Sequence, residues 1–370
     1  MPENNEKPVA WFARPAARTW TCPPAPDQPQ AFHTSLTGYA VTPLHELASL
    51  ADELGVGRVF VKDESARLGL PAFKALGASW AVHRALAERA AHGEASPGPV
   101  TLVTATDGNH GRAVARIARL LGQRAHVFVS GGVHPDAAAA IASEGARVTQ
   151  VDGPYDETVR RAAAAAEGAA TLLVQDSAWP GYERIPRWIV EGYSTLFAEV
   201  DAQLAAAGAA PDLVAVPVGV GSLAQAAVTH YRSRPAGRPA PALLSVEPEA
   251  APCVIESLTR GELTAVVTGD TAMAGLNCGT PSSLAWPYLR DGLDAAIAVT
   301  DAHGAVAVRD LAALGVRAGP CGAASLAGVR AALTGAGAED RRASLGLGPT
   351  SVLVLLSTEG ADANPHRQEI

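Results

Sequence analysis

The stretch Pro99–Gly122, PVTLVTATDGNHGRAVARIARLLG, carries the pattern that decides the fold. Its first seven residues, Pro99–Ala105, form an apolar run that predicts a β-strand, and His110–Gly122 has the apolar spacing of a helix. The turn between them, DGNHG, contains two glycines, which allow a tight change of direction. A strand that leads directly into a helix is typical of β-α-β units and therefore of parallel sheets.

The same alternation continues along most of the chain. Further strands are predicted at Arg58–Asp63, Ala125–Ser130, Ala146–Asp152, Ala170–Asp176, Asp212–Val218, Pro241–Pro248 and Ser351–Ser357, and a helix at Lys74–Ala91. Because these strands are apolar along their whole length and are separated by helices, they indicate sheets covered on both faces. The sequence thus predicts an α/β protein with mainly parallel sheets flanked by helices.

Composition excludes several classes of protein. The chain has 370 residues, of which 48% are hydrophobic, so it is not globally disordered. A net charge of −8 argues against a general nucleic-acid binder. No apolar run reaches the roughly 18 residues that a membrane span needs. The first residues, MPENNEKPVAWFARP, lack a signal-peptide pattern, so we expect a cytoplasmic protein.

The four cysteines, Cys22, Cys253, Cys278 and Cys321, are widely separated, without a CxxC spacing. This argues against a structural zinc site or a disulfide scaffold, and no metal site is predicted. In a reducing compartment free thiols are expected.

Four segments that follow predicted strands carry the candidate functional groups, since ligands of open α/β sheets bind at the carboxyl ends of strands. The first contains Lys74, which opens a helix. The positive end of the helix dipole would lower the pKa of this amine, as a nucleophile requires. The alternative is an ordinary surface lysine.

The second segment is the DGNHG turn, in which Asn109 could donate a hydrogen bond to a ring oxygen; alternatively, Asp or Asn caps the helix. The third is VPVGVGSLAQA, in which residues 219–223 offer backbone N–H groups for a phosphate. Ala224 leaves a GxGxxG fingerprint incomplete, and the Lys-Ser/Thr pair of a P-loop is lacking. The fourth is LLSTEG, in which Ser357 either bonds a ring nitrogen or simply ends the last strand.

Together and in this order, these segments resemble the fold-type II pyridoxal-phosphate enzymes, the group of the tryptophan synthase β-subunit and threonine dehydratase. The resemblance spans roughly Gly38 to Asp362. Within the group, VKDES, ATDGNHGR, VQDSAWPGY, MAGLNCG and LLSTEGAD are similar to segments of the diaminopropionate ammonia-lyase family. The most specific stretch is Val174–Tyr193, VQDSAWPGYERIPRWIVEGY.

The resemblance implies pyridoxal 5′-phosphate as cofactor, bound covalently by Lys74. Asn109 would contact the ring hydroxyl and Ser357 the pyridine nitrogen. The phosphate would be held by Gly219, Val220, Gly221, Ser222 and Leu223. It also implies a homodimer. Each chain would have a large domain, 1–78 with 198–370, and a small inserted domain, 79–197. Both domains would contain a mainly parallel twisted sheet.

The reaction implied is α,β-elimination of 2,3-diaminopropionate to pyruvate and two ammonia molecules. Lys74 would remove the α-proton of one enantiomer and Asp107 that of the other. Asp176 would bind the β-ammonium group or act as the acid, since an amine leaves poorly unless it is protonated. The alternative for Asp176 is an N-cap of the following segment.

Two segments depart from the family pattern. Where the family has ACGEP after MAGL, this chain has NCGTP with Asn277 and Thr280, and where it has an ESGA-like segment, this chain has GPCGAAS with Cys321. Cys253 and Cys278 also lie in segments similar to the family and are expected to be neighbours in space, with free thiols favoured over a disulfide.

Two other functions stay open. One is another fold-type II enzyme, eliminating or replacing the β-group of a serine- or threonine-like substrate or a substituted diaminopropionate; Asp107 and Asp176 argue against a hydroxyl leaving group. The other is a non-catalytic binding module, which Lys74 and the glycine-rich loop disfavour.

Overall fold

The computed structural model describes residues 9–26, 28–93, 98–106, 108–153, 155–168, 170–233 and 240–363. Its strands, numbered in chain order, are β1 Trp11–Ala13, β2 Leu44–Glu46, β3 Arg58–Asp63, β4 Thr101–Thr106, β5 Arg124–Ser130, β6 Arg147–Val151, β7 Thr171–Leu173, β8 Leu213–Pro217, β9 Ala242–Pro248, β10 Ala295–Val299 and β11 Val352–Ser357. The α-helices are α1 Gln28–Ser35, α2 Ala48–Leu54, α3 Lys74–Ala91, α4 Asn109–Leu120, α5 Pro135–Ser143, α6 Tyr155–Ala165, α7 Arg184–Gly192, α8 Ser194–Ala206, α9 Ser222–Arg232, α10 Cys253–Arg260, α11 Trp286–Gly292, α12 Asp301–Ala313, α13 Pro320–Leu333 and α14 Ala338–Leu345.

The strands form two sheets. The larger has the order β1-β10-β9-β8-β11-β3-β2, with five parallel inner strands and an antiparallel strand at each edge. The smaller has the order β6-β5-β4-β7 and is parallel throughout. The predicted α/β class with mainly parallel sheets is confirmed.

The short edge strands and β10 were not predicted. β1 and β2 have three residues each, too few to show a period, and the alanine-rich β10 (AAIAV) resembles a helix former in sequence. All four strands of the smaller sheet lie between residues 79 and 197, and all seven strands of the larger sheet lie outside that range.

Helices α3 and α7 approach each other closely at two glycines. A Cβ atom on Gly77 would lie 2.6 Å from Cε1 of Tyr193, and one on Gly192 would lie 2.6 Å from the carbonyl oxygen of Leu76. Side chains at these positions would therefore separate the helices. The contact fixes the first turn of α3, and with it Lys74, against the segment that follows the smaller sheet.

The four cysteines are free thiols, as expected. Within the described ranges, every helix is too short or too polar to cross a membrane.

Candidate active site

A cleft of about 580 Å³ opens between the two sheets. The start of α3 and the segments after β4, β7, β8 and β11 line it, so it lies at the carboxyl ends of strands from both sheets. The predicted site residues that it brings together are Lys74, Asn109, Asp176, Gly219, Val220, Gly221, Ser222 and Leu223. Asp107 falls outside the described residues.

Lys74 and Asp176 form an ion pair inside this cleft. Nζ of Lys74 donates to Oδ2 of Asp176 at 2.7 Å, and the two side chains are only 22% and 15% exposed. Lys74 is therefore no surface lysine, and Asp176 does not serve as a helix cap, because α7 begins only at Arg184.

The charges of the pair set each other's pKa. Burial disfavours the ammonium of Lys74, but the nearby Asp176 carboxylate outweighs burial and raises the pKa of Lys74 above its ordinary value. Burial would likewise raise the pKa of Asp176, yet Lys74 outweighs burial and holds it well below its usual range. The expected lowering of the Lys74 pKa by the helix dipole is thus wrong for this chain, because a carboxylate at contact distance is the stronger influence.

Asp176 reaches the cleft because its strand ends early. A strand was predicted through Asp176, but β7 stops at Leu173. Beyond Val174 a side chain, not the backbone, makes the hydrogen bonds to β4. Oε1 of Gln175 accepts from the backbone N–H of Ala105 at 3.0 Å and from the hydroxyl of Thr104 at 3.1 Å. The backbone leaves the sheet after Val174, whose N–H still donates to the carbonyl oxygen of Val103 at 2.8 Å.

His110 is a site residue to which the sequence assigned no role. It lies in the first turn of α4, is 5% exposed, and has Nδ1 3.8 Å from Oδ2 of Asp176. Its Nε2 lies 2.7 Å from the carbonyl oxygen of Val174. Its place in the DGNHG turn, next to Asn109, was the available signal.

Glu359 is a second such residue. Its carboxylate, 2% exposed, accepts from the side-chain amide of Asn109 at 2.6 Å and from the backbone N–H of Cys321 at 3.2 Å. It thereby links the first turns of α4 and α13. Asn109 itself caps nothing, since no side chain caps α4. The signal was the position of Glu359, two residues after the end of the last strand, in STEG.

The loop of residues 219–223 has the features of an anion site. Gly221 has φ +98°, and α9 begins at Ser222 without a side-chain cap, so its first N–H groups face the cleft. A Cβ on Gly219 would lie 2.9 Å from Sγ of Cys278 and 3.1 Å from the carbonyl oxygen of Gly275. Only a glycine fits where the loop passes this closely.

Ser357 ends β11 and is fully buried. Its hydroxyl has no hydrogen-bond partner among the described residues, which is uncommon for a buried polar group. Its neighbours Thr358 and Glu359 line the cleft directly. Gly322 leaves room beside it, because a Cβ there would lie 2.9 Å from the Ser357 Oγ.

The residues that depart from the family pattern also face the cleft: Asn277, Thr280 and Cys321 line it. Cys253 and Cys278 lie on either side of Gly219, with Sγ of Cys253 3.7 Å from its carbonyl oxygen. Both remain free thiols, and burial raises the pKa of Cys253.

Comparison with known proteins identifies the class of protein to which this chain belongs. The sequence model of the family described as pyridoxal-phosphate dependent enzyme matches residues 36–348. The chain belongs to this family.

Its relatives narrow the assignment to the diaminopropionate ammonia-lyase family. The diaminopropionate ammonia-lyase of Salmonella typhimurium is 40% identical over 301 residues, which are 76% of this chain and 74% of that protein. The Escherichia coli enzyme in complex with D-serine superposes with a TM-score of 0.88 at 32% identity, covering 98% of this chain and 96% of the other. The same enzyme with an aminoacrylate-PLP azomethine intermediate gives a TM-score of 0.87 at 33% identity, with the same coverage.

The residues of the cleft fit pyridoxal phosphate. A buried amine at Lys74 suits its aldehyde, the open N-terminus of α9 suits its phosphate, and the unpaired hydroxyl of Ser357 suits a ring nitrogen. The class of cofactor predicted from the sequence is confirmed by the family.

Proposed function

We propose that this protein eliminates ammonia from 2,3-diaminopropionate and, with one water, yields pyruvate and two ammonia molecules. The observation that carries the proposal is the 2.7 Å contact between the Asp176 carboxylate and an ammonium group, that of Lys74. A carboxylate that already binds an ammonium in the cleft is suited to the second ammonium of a diamino acid. The family relationship and the aminoacrylate bound to the E. coli enzyme support the same reaction.

In this proposal, Lys74 binds the cofactor and removes the α-proton of one enantiomer. The bound cofactor withdraws electrons from the α-carbon and so makes this proton removable. Asp176, released from Lys74, binds the β-ammonium. Asp107, next to the site in sequence, is proposed as the base for the other enantiomer.

For the cofactor contacts we propose the residues that the sequence predicted. Gly219, Val220, Gly221, Ser222 and Leu223 would hold the phosphate, Ser357 the pyridine nitrogen and Asn109 the ring hydroxyl. We also retain as proposals the homodimer, the cytoplasmic location and the domain limits at 79 and 197.

The test is incubation of the purified holoenzyme with D- and L-diaminopropionate, serine and threonine, with assays for keto acid and ammonia. We expect two ammonia per pyruvate from diaminopropionate and little product from the hydroxyamino acids. Borohydride should fix the cofactor on Lys74, as peptide mass spectrometry would show. Preferred turnover of serine or threonine would refute the proposal.

A substituted diaminopropionate is the second candidate. Asn277, Thr280 and Cys321 face the cleft where the family pattern has other residues, so the part of the substrate that they contact can differ from that of the parent compound. Turnover of an N-substituted diaminopropionate faster than the parent compound would select this alternative.

A further inference from the structure

The hydrogen bonding of His110 fixes which of its ring nitrogens carries a proton. Nε2 lies 2.7 Å from the carbonyl oxygen of Val174, and a carbonyl oxygen only accepts. Nε2 must therefore be the donor. Burial lowers the pKa of His110, and this lower pKa favours the neutral ring. In the neutral ring Nδ1 then carries a lone pair.

His110 lines the cleft, and Nδ1 is the ring nitrogen that lies near Asp176. Nδ1 is buried, and no described residue donates a hydrogen bond to it. A charged oxygen, Oδ2 of Asp176, lies 3.8 Å from Nδ1, which is beyond hydrogen-bond distance, and it is also an acceptor. Oδ2 in turn accepts from Nζ of Lys74. Two acceptors therefore lie 3.8 Å apart, close enough for one donor group to reach both.

We infer that His110 Nδ1 and Asp176 Oδ2 together bind one ammonium group, the β-ammonium of the substrate. This inference rests on the proposed function. An ammonium has three N–H donors and can serve both acceptors at once, whereas a hydroxyl has one donor and leaves one of them unpaired. The pair therefore selects a diamino acid over a hydroxyamino acid.

The pair also settles the proton balance of the elimination. The α-proton goes to the base, and the β C–N bond breaks with its electron pair going to nitrogen. Because the β-nitrogen is already an ammonium, it leaves as neutral ammonia without receiving a proton. Asp176 and His110 need only keep it protonated and in place.

Two substitutions of His110 distinguish the roles of its two ring nitrogens. In His110→Gln the amide can still donate to the Val174 carbonyl but offers no acceptor at the Nδ1 position. In His110→Asn an acceptor remains near that position. We expect His110→Gln to lower kcat/KM for diaminopropionate about ten-fold more than that for β-chloroalanine, as loss of a hydrogen bond to a charged group predicts, chiefly through KM. His110→Asn should discriminate less between the two substrates.

A second measurement does not depend on activity. Spectra of the ¹⁵N-labelled imidazoles, with the His110 signals identified by their loss in His110→Gln, should show a neutral ring protonated at Nε2 at pH 7, with and without cofactor. A ring protonated at Nδ1, or at both nitrogens, would overturn the inference even if a variant failed to fold.

The outcomes distinguish this inference from the proposed function. If the wild type releases no ammonia from diaminopropionate but processes β-chloroalanine, the proposed function fails and the inference fails with it. If the wild type is active and His110→Gln loses both substrates equally, only the role of His110 is refuted.

Discussion

At the residue scale, the proposed recognition of the substrate depends on the charge of Asp176. Lys74 holds its pKa below the usual range, although burial alone would raise it. If Lys74 holds the cofactor as proposed, Asp176 loses its strongest partner. A buried carboxylate without a counter-ion is costly, so the site then favours a ligand that brings a positive charge.

Asp176→Asn should therefore impair elimination of an amine more than elimination of chloride. Asn keeps the shape but loses the charge that holds an ammonium, so kcat/KM for diaminopropionate should fall at least about ten-fold more than for β-chloroalanine. Steady-state kinetics with both substrates measures this. Asp136→Asn, an exposed carboxylate on α5, is the control and should change neither value. Equal losses for both substrates in Asp176→Asn would show that the residue does not bind the leaving group.

At the scale of elements, hydrophobic periodicity in the sequence predicts where strands and helices lie. It does not predict a strand end that depends on a single side chain. β3 and α3 match their predicted bounds, because their apolar patterns begin and end sharply. β7 is shorter than predicted, because the amide of Gln175 takes over the hydrogen bonds of the ladder. No pattern of apolar residues signals such a replacement.

The turn before α9 holds Gly221 in a backbone conformation that other residues rarely adopt. Gly221→Ala introduces a side chain at φ +98°, with its Cβ 2.6 Å from Cδ1 of Leu289. We expect the turn to shift and the holoenzyme to lose cofactor on dialysis, as measured by absorbance. Gly208→Ala is a matched control, with φ +64° and no atom within 4 Å of the new Cβ. It should cost about 1–2 kcal/mol of stability from its backbone conformation and retain the cofactor. Equal retention in both variants would argue against a phosphate-binding role for this turn.

At the scale of the whole molecule, residues far apart in sequence build the site. Asn109 and Glu359 are 250 positions apart and 2.6 Å apart in space. Strand order explains why both lie at the cleft, since each follows the carboxyl end of a parallel strand. Which side chains then meet depends on the packing of the two sheets, and no spacing in the sequence records it.

A buried charge cluster shows the same dependence on how distant segments pack together. Glu199 on α8 accepts from Lys62 at 2.7 Å, from two nitrogens of Arg67 at 2.7 and 2.8 Å, and from the Tyr39 hydroxyl at 2.6 Å. It thus connects β3 and the segment leading to Lys74 with a helix that follows the smaller sheet. No sequence pattern pointed to these residues, because isolated charges in apolar runs have no pattern of their own.

This cluster makes the fold sensitive to acid. Burial opposes the charge of Glu199, but Arg67 and Lys62 outweigh it and lower the pKa of Glu199 from 4.5 to about 2. A carboxyl whose pKa is lower in the folded chain stabilises the fold fully above its unfolded pKa. That contribution is lost as the pH falls from about 4.5 through about 2.

The substitution Glu199→Gln tests the contribution of this charge both at pH 7 and in acid. At pH 7 it leaves two buried cations short of a partner, so the free energy of unfolding in urea should fall by about 3–5 kcal/mol. The control Glu46→Gln breaks an exposed pair with Arg58 and should cost about 0–1 kcal/mol. The difference between wild type and Glu199→Gln should shrink as the pH is lowered below 4.5, because the wild type loses the contribution that the variant lacks. A difference that stays constant down to pH 2 would mean that the stabilisation comes from packing and not from the charge of Glu199.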